Sequence, residues 1–115
     1  AAHGVDETWH TGEHPVLYTR RVAEAKARVV AADHRDAVVL GADTTVWIHP
    51  AREPLQKPES RAHAEAMLRE LVVKGRHLVT TGFCVVNGPA GTVFVEHVTS
   101  EVCFSAPSEA ELQAY

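Results

Sequence analysis

The chain has 115 residues, 45% of them hydrophobic and 23% charged, which suits one globular domain able to bury roughly two-thirds of its unfolded surface. A formal charge of −4 argues against broad nucleic-acid binding but not against a single nucleotide, which a few convergent cations can hold. No apolar run approaches the ~20 residues of a membrane span and no signal-peptide pattern opens the chain, so a cytoplasmic protein with no membrane contact is expected.

Ala1 to Glu13 reads as polar and irregular, with Gly4 and Gly12 as breakers. A helix is predicted from about Pro15 to the Asp33–Asp36 stretch. Its expected apolar face carries Leu17, Val22, Ala25, Val29 and Val30, with Arg20, Arg21, Glu24 and Arg28 opposite. Ala37 to Ile48, rich in Val and Thr, reads as a long strand. A turn with Pro50 and Pro54 leads to a second helix over Glu59 to Lys74, where Ala64, Met67, Leu68, Leu71 and Val72 keep helical spacing and Gly75 is placed as a C-cap. His77 to Val86 and Thr92 to Phe104 flank the Asn87–Gly91 turn as a hairpin. Ser108 with Glu111 forms a capping box for a last helix. This order predicts an α/β or α+β domain with a mixed sheet, single over residues 1–115.

Asp43 stands in the middle of an apolar β-type run, where a carboxylate is costly unless paired, hydrogen-bonded or bound to metal. Lys57, one of only three lysines, follows fourteen residues later in a loop fixed by Pro58. An acid with a loop lysine is what a metal-assisted phosphate site needs; the plain alternative is an Asp at a strand bend held by backbone amides. Thr44, Thr80 and Thr81 equally suit a strand without function. His10 and His14 have i, i+4 spacing, but Gly12 lies between them and no Glu follows His10, so a zinc-protease site is not expected. Cys84 and Cys103 lack metal-ligand spacing. The hairpin would set Cys84 near Phe94 and Cys103 far along the ladder, so two reduced thiols are expected. No nucleotide-binding glycine loop or nucleophile elbow is present.

The order Val5-Asp6-Glu7, Arg21-Val22-Ala23-Glu24-Ala25-Lys26-Ala27, Gly41-Ala42-Asp43-Thr44 and Lys57-Pro58 resembles the Maf family of nucleoside triphosphate pyrophosphatases. Gly75-Arg76-His77 through Gly82, Thr99 to Phe104 and Ser108 to Leu112 continue the resemblance to Tyr115. It implies the fold shared with inosine triphosphate pyrophosphatases, a curved sheet with helices outside and a nucleotide cleft. It also implies Mg²⁺, or another divalent cation such as Mn²⁺, a nucleoside triphosphate substrate, and a possible homodimer. By the same resemblance Asp43 is the base and a metal ligand, and Glu7 a second metal ligand. Lys26 and Lys57 would contact phosphates, Thr44 the substrate, and Arg76, His77 and Thr81 the base or sugar. Ala42-Asp43-Thr44 is similar to the branch acting on dTTP and UTP. A non-catalytic nucleotide-binding or cell-division regulatory protein, as in septum formation, and an inosine triphosphatase-like enzyme are the alternatives.

Members of this family open with a Ser-rich double-arginine loop, which does not precede Val5, and continue past the helix expected to end at Tyr115. The expectation is therefore a partial domain, the middle of such an enzyme, turning over nucleotides weakly on its own. Leu71-Val72-Val73-Lys74-Gly75 also replaces the Leu-Ser-Gly of relatives.

Overall fold

The computed structural model describes residues 5–48, 54–55, 60–74 and 76–103. Lys57, the Gly75 cap and the Ser108 helix lie outside them.

Helix α1 (Pro15–Ala32) starts at His14, whose extended backbone (φ −64°, ψ 135°) makes it the N-cap. Its Nδ1 accepts the Val16 N–H at 3.1 Å, and Pro15 fills the first turn, where a missing N–H costs nothing. At the other end the Asp33 N–H returns to the Val30 carbonyl at 3.1 Å. Helix α2 (Arg61–Lys74) is capped by Ser60, whose Oγ accepts the His63 N–H at 3.1 Å. Among the described elements α2 packs only against the second strand.

Strands β1 (Val38–Trp47), β2 (Arg76–Asn87) and β3 (Thr92–Cys103) form a sheet in that order. Both pairings are antiparallel, running from Val38↔Asn87 to Trp47↔Leu78 and from Asn87↔Thr92 to Arg76↔Cys103. The described sheet is thus wholly antiparallel rather than mixed: β2 and β3 form a hairpin, and β1 pairs antiparallel with β2 although α2 lies between them in sequence. Gly91, at φ 68°, closes the β2–β3 turn, and Asn87 Oδ1 accepts the Ala90 N–H at 3.1 Å. That turn puts Val95, next to Phe94, opposite Cys84, and sets Cys103 far along the ladder opposite Arg76, as expected. Cys84 is buried and free, and burial pushes its thiol up.

Helix α1 lies across the sheet face that carries Gly41, Asp43 and Thr45. A Cβ on Gly41 would fall 2.6 Å from the Ala23 carbonyl oxygen and 2.7 Å from the Ala27 nitrogen, so helix and strand meet almost backbone to backbone. Gly82, the partner of Asp43 on β2, meets Thr19 in the same way. This close approach selects the buried stripe: Pro15, Thr19, Val22, Ala23 and Ala27, mostly small residues. Leu17 (61% exposed) and Val30 (40%) fall outside it, so the expected apolar face is corrected to one built on Thr19-Ala23-Ala27. The Thr19 hydroxyl donates to the Pro15 carbonyl at 2.6 Å and, having one proton, accepts from Thr45 at 2.8 Å. The Trp47 indole N–H donates to Thr80 Oγ1 at 3.1 Å, which in turn meets Thr99 Oγ1 at 2.9 Å. Leu40, Phe94 and Val98 stand exposed on the sheet face away from α1.

Candidate functional site

Alternation along β1 decides which side chains can meet α1. Asp43 shares the covered face with Gly41 and Thr45, and α1 runs opposite to β1, bringing Lys26 over it. Lys26 Nζ donates to Asp43 Oδ1 at 3.0 Å and lies 3.4 Å from Glu7 Oε1. One ammonium therefore stands between two carboxylates drawn from an N-terminal segment and a strand. The Asp43 and Lys26 side chains are largely covered and Glu7 is half-exposed, so the cluster opens toward solvent on its Glu7 side. Burial works against the Lys26 charge, but the hydrogen bond and charge of Asp43, with the charge of Glu7, hold its pKa above the ordinary lysine value.

The N-terminal segment has no regular structure, yet it is tied to α1 at successive carbonyls. Tyr18 Oη donates to the Glu7 carbonyl at 2.6 Å. Arg21 Nη2 donates to the Thr8 carbonyl at 2.8 Å and Nη1 to the Asp6 carbonyl at a longer 3.4 Å. The same guanidinium forks onto Glu13, Nε to Oε2 at 2.8 Å and Nη2 to Oε1 at 3.0 Å, and lies 5.4 Å from the centre of the Tyr18 ring. Burial, then the negative charges of Asp43 and Glu7, raise the Tyr18 pKa, so its hydroxyl keeps the proton it donates. Tyr18, Arg21 and Glu13 did not figure among the expected site residues. The signal lay in the spacing: Glu13 eight residues before Arg21 reaches it only if the chain folds back along the helix.

Thr44 and Thr81 are not brought into this cluster. They are cross-strand partners on the opposite, exposed face, their Oγ1 atoms 3.2 Å apart, because a one-residue step along a strand reverses the side chain. Arg76 opens β2 opposite Cys103. His77 next to it is buried, and that burial pushes its imidazole below the ordinary range. Lys57 falls outside the described residues.

Among the described residues no three His, Cys, Asp or Glu side chains converge as a complete metal cage. The two carboxylates bracket the Lys26 ammonium; a Mg²⁺ ion, which takes one or two protein carboxylates and completes its shell with water and substrate phosphates, could be held by them only with Lys26 turned aside. Glu7 and Asp43 are the acids available for such an ion, too few for a zinc or calcium cage. Among the described residues no helix is long and apolar enough to cross a membrane.

The family profile described as Maf-like protein matches residues 1–115. A dTTP/UTP pyrophosphatase of Paramagnetospirillum magneticum is 45% identical over 111 residues, covering 96% of this chain and 56% of the relative. A dTTP/UTP pyrophosphatase of Nitratidesulfovibrio vulgaris is 45% identical over 105 residues, covering 90% and 48%. A nucleoside triphosphate pyrophosphatase of Anaplasma phagocytophilum is 39% identical over 111 residues, covering 96% and 55%. The chain spans about half the length of the curated relatives it matches.

Proposed function

The chain belongs to the Maf family, and from that premise we propose that it carries part of the active site of a nucleoside triphosphate pyrophosphatase acting on dTTP and UTP. The observation that carries the reading is the Glu7–Lys26–Asp43 cluster, a cation bracketed by two acids at 3.4 and 3.0 Å. The names of the relatives supply the substrate class.

The reaction adds water across the α–β phosphoanhydride: a water oxygen bonds to the α-phosphorus, the bridging P–O bond breaks, and pyrophosphate leaves with that electron pair. Asp43 accepts the proton of the attacking water. Lys26, already oriented by the two acids, turns to the phosphate oxygens and offsets the charge that builds on them. Lys57 is assigned as a further cation on the triphosphate, and Arg76 to the base or sugar, by their match to the family pattern. Thr44 and Thr81, assigned to the substrate by the same match, would have to reach it from the other face of the sheet. Glu7 and Asp43 would hold Mg²⁺, which when bound neutralises phosphate charge and favours the leaving group. The fold class is the Maf and inosine triphosphatase type, and the setting is the cytoplasm.

The test is pyrophosphate release from a nucleotide panel in Mg²⁺. Preference for dTTP and UTP, abolished in Asp43→Asn, is the expected result. Preference for ITP and XTP, or release unchanged in Asp43→Asn, would overturn it.

A further inference from the structure

Glu7 lies in a stretch with no helix or strand of its own, yet its carboxylate reaches Lys26 on α1. Something must place it there, because a free segment of this length would spread a side chain over many positions. The three carbonyls on and beside Glu7 are all taken by α1 side chains: Asp6 and Thr8 by Arg21, and Glu7 itself by Tyr18 at 2.6 Å. Arg21 is in turn fixed by its two-pronged bond to Glu13 and by its seat over the Tyr18 ring. Turns inside the segment stiffen it further, with the Thr8 N–H on Asp6 Oδ1 at 2.9 Å and the Trp9 indole N–H on the Glu13 carbonyl at 2.8 Å.

We propose that Tyr18, backed by Arg21 and Glu13, is a positioning residue for the reaction: its hydroxyl holds the Glu7 backbone so that the Glu7 carboxylate faces Lys26 and Asp43. Tyr18 does not touch the reacting atoms. It acts through Glu7, and this role rests on the pyrophosphatase reading above, whereas the clamp itself rests on the hydrogen bonds alone. A hydroxyl suits the task because it stays uncharged beside two carboxylates. A lysine there would compete with Lys26 for them, and an acid would repel them.

Tyr18→Phe isolates the claim, since it keeps the ring under Arg21 and deletes only the donor. Two measurements on the native protein, Tyr18→Phe, Glu7→Gln and the double variant decide it. The first is residue-resolved hydrogen exchange, which requires no activity. The Thr8 and His10 amides should exchange roughly fivefold faster in Tyr18→Phe, the loss of about one hydrogen bond, while amides of β2 keep their protection. The second is pyrophosphate release as a function of Mg²⁺. Tyr18→Phe should raise the Mg²⁺ needed for half-maximal rate roughly tenfold, as loss of a partner behind a metal ligand does, with a smaller change in kcat. Glu7→Gln should do the same or more, and adding Tyr18→Phe to it should change nothing beyond about twofold, because two residues acting as one unit are not additive. Unchanged exchange in Tyr18→Phe overturns the clamp. Faster exchange with an unchanged Mg²⁺ requirement, or effects that add in the double variant, overturns the positioning role. Native protein that releases no pyrophosphate from any nucleotide sinks the enzymatic reading and with it the role in catalysis, and the exchange measurement then decides the clamp by itself.

Discussion

The close approach of Gly41 to α1 makes a sharp stability prediction. Gly41→Ala adds one methyl group at 2.6 Å from the Ala23 carbonyl oxygen, 2.7 Å from the Ala27 nitrogen and 2.9 Å from the Ala27 Cβ. Carbon contacts relax at about 3.5–4.0 Å, so the helix must move off the strand by roughly 1 Å. Two of the three obstructing atoms are backbone, and no side-chain rotation relieves them. Overpacking costs about 1–3 kcal/mol, and obstruction by backbone puts this case in the upper part of that range, about 2–3 kcal/mol. Against it stands the entropy an alanine removes from the unfolded chain, about 0.4–1 kcal/mol. The clash wins, leaving a net loss of about 1–2.5 kcal/mol. At about 3–6 °C per kcal/mol for a domain of this size, the midpoint of thermal unfolding should fall by roughly 3–15 °C. Far-UV circular dichroism on heating measures it. Gly82→Ala is the internal control, because its nearest obstruction, the Thr19 carbonyl oxygen, lies at 3.0 Å and needs only a few tenths of an ångström. Its loss should be smaller. A Gly41→Ala midpoint equal to that of the native protein, or a larger loss in Gly82→Ala, would show that α1 does not sit where this packing puts it.

Asp43→Asn should keep the fold and lose about 10²- to 10⁴-fold in pyrophosphate release, since an amide accepts a proton poorly; near-native turnover removes Asp43 as base. Thr19→Val should destabilise by about 1–2 kcal/mol in urea unfolding, because the buried Thr45 hydroxyl loses its partner at 2.8 Å, and no change would mean that water reaches that pair. Hydrogen bonds from Arg21, opposed by burial, hold the Glu13 carboxyl below its ordinary value of 4.5. The sign follows: a depressed folded pKa contributes stability present above pH 4.5 and lost as pH falls through the folded pKa. Glu13→Gln should therefore lower the unfolding midpoint at pH 7 while narrowing the gap from native in strong acid, and an equal gap at both would refute the pairing.

Elements came easily from the sequence, and faces did not. Pro15, the Val- and Thr-rich run before Trp47 and the Asn87–Gly91 turn each act through their own neighbours, so α1, β1 and the hairpin fall within a residue or two of the expected bounds. The buried face of α1 is a different matter. Hydrophobicity points to Leu17 and Val30, yet what the strand accepts is set by Gly41 and Gly82, residues remote in sequence that leave room only for Thr19, Ala23 and Ala27. The same distinction runs through the site. Asp43 and Thr44 are equally visible as one motif, but the pleat of β1 sends Asp43 under the helix to Lys26 and Thr44 to the opposite surface beside Thr81. A motif gives residues in a row, and a strand divides that row between two surfaces. Tyr18 and Arg21 show the converse: they stand outside the phosphate-handling set, yet their hydrogen bonds hold the irregular segment whose Glu7 completes the cluster. A carboxylate in such a segment can be read from sequence as a charge. Its place relative to Lys26 follows only from the side chains that grip its backbone.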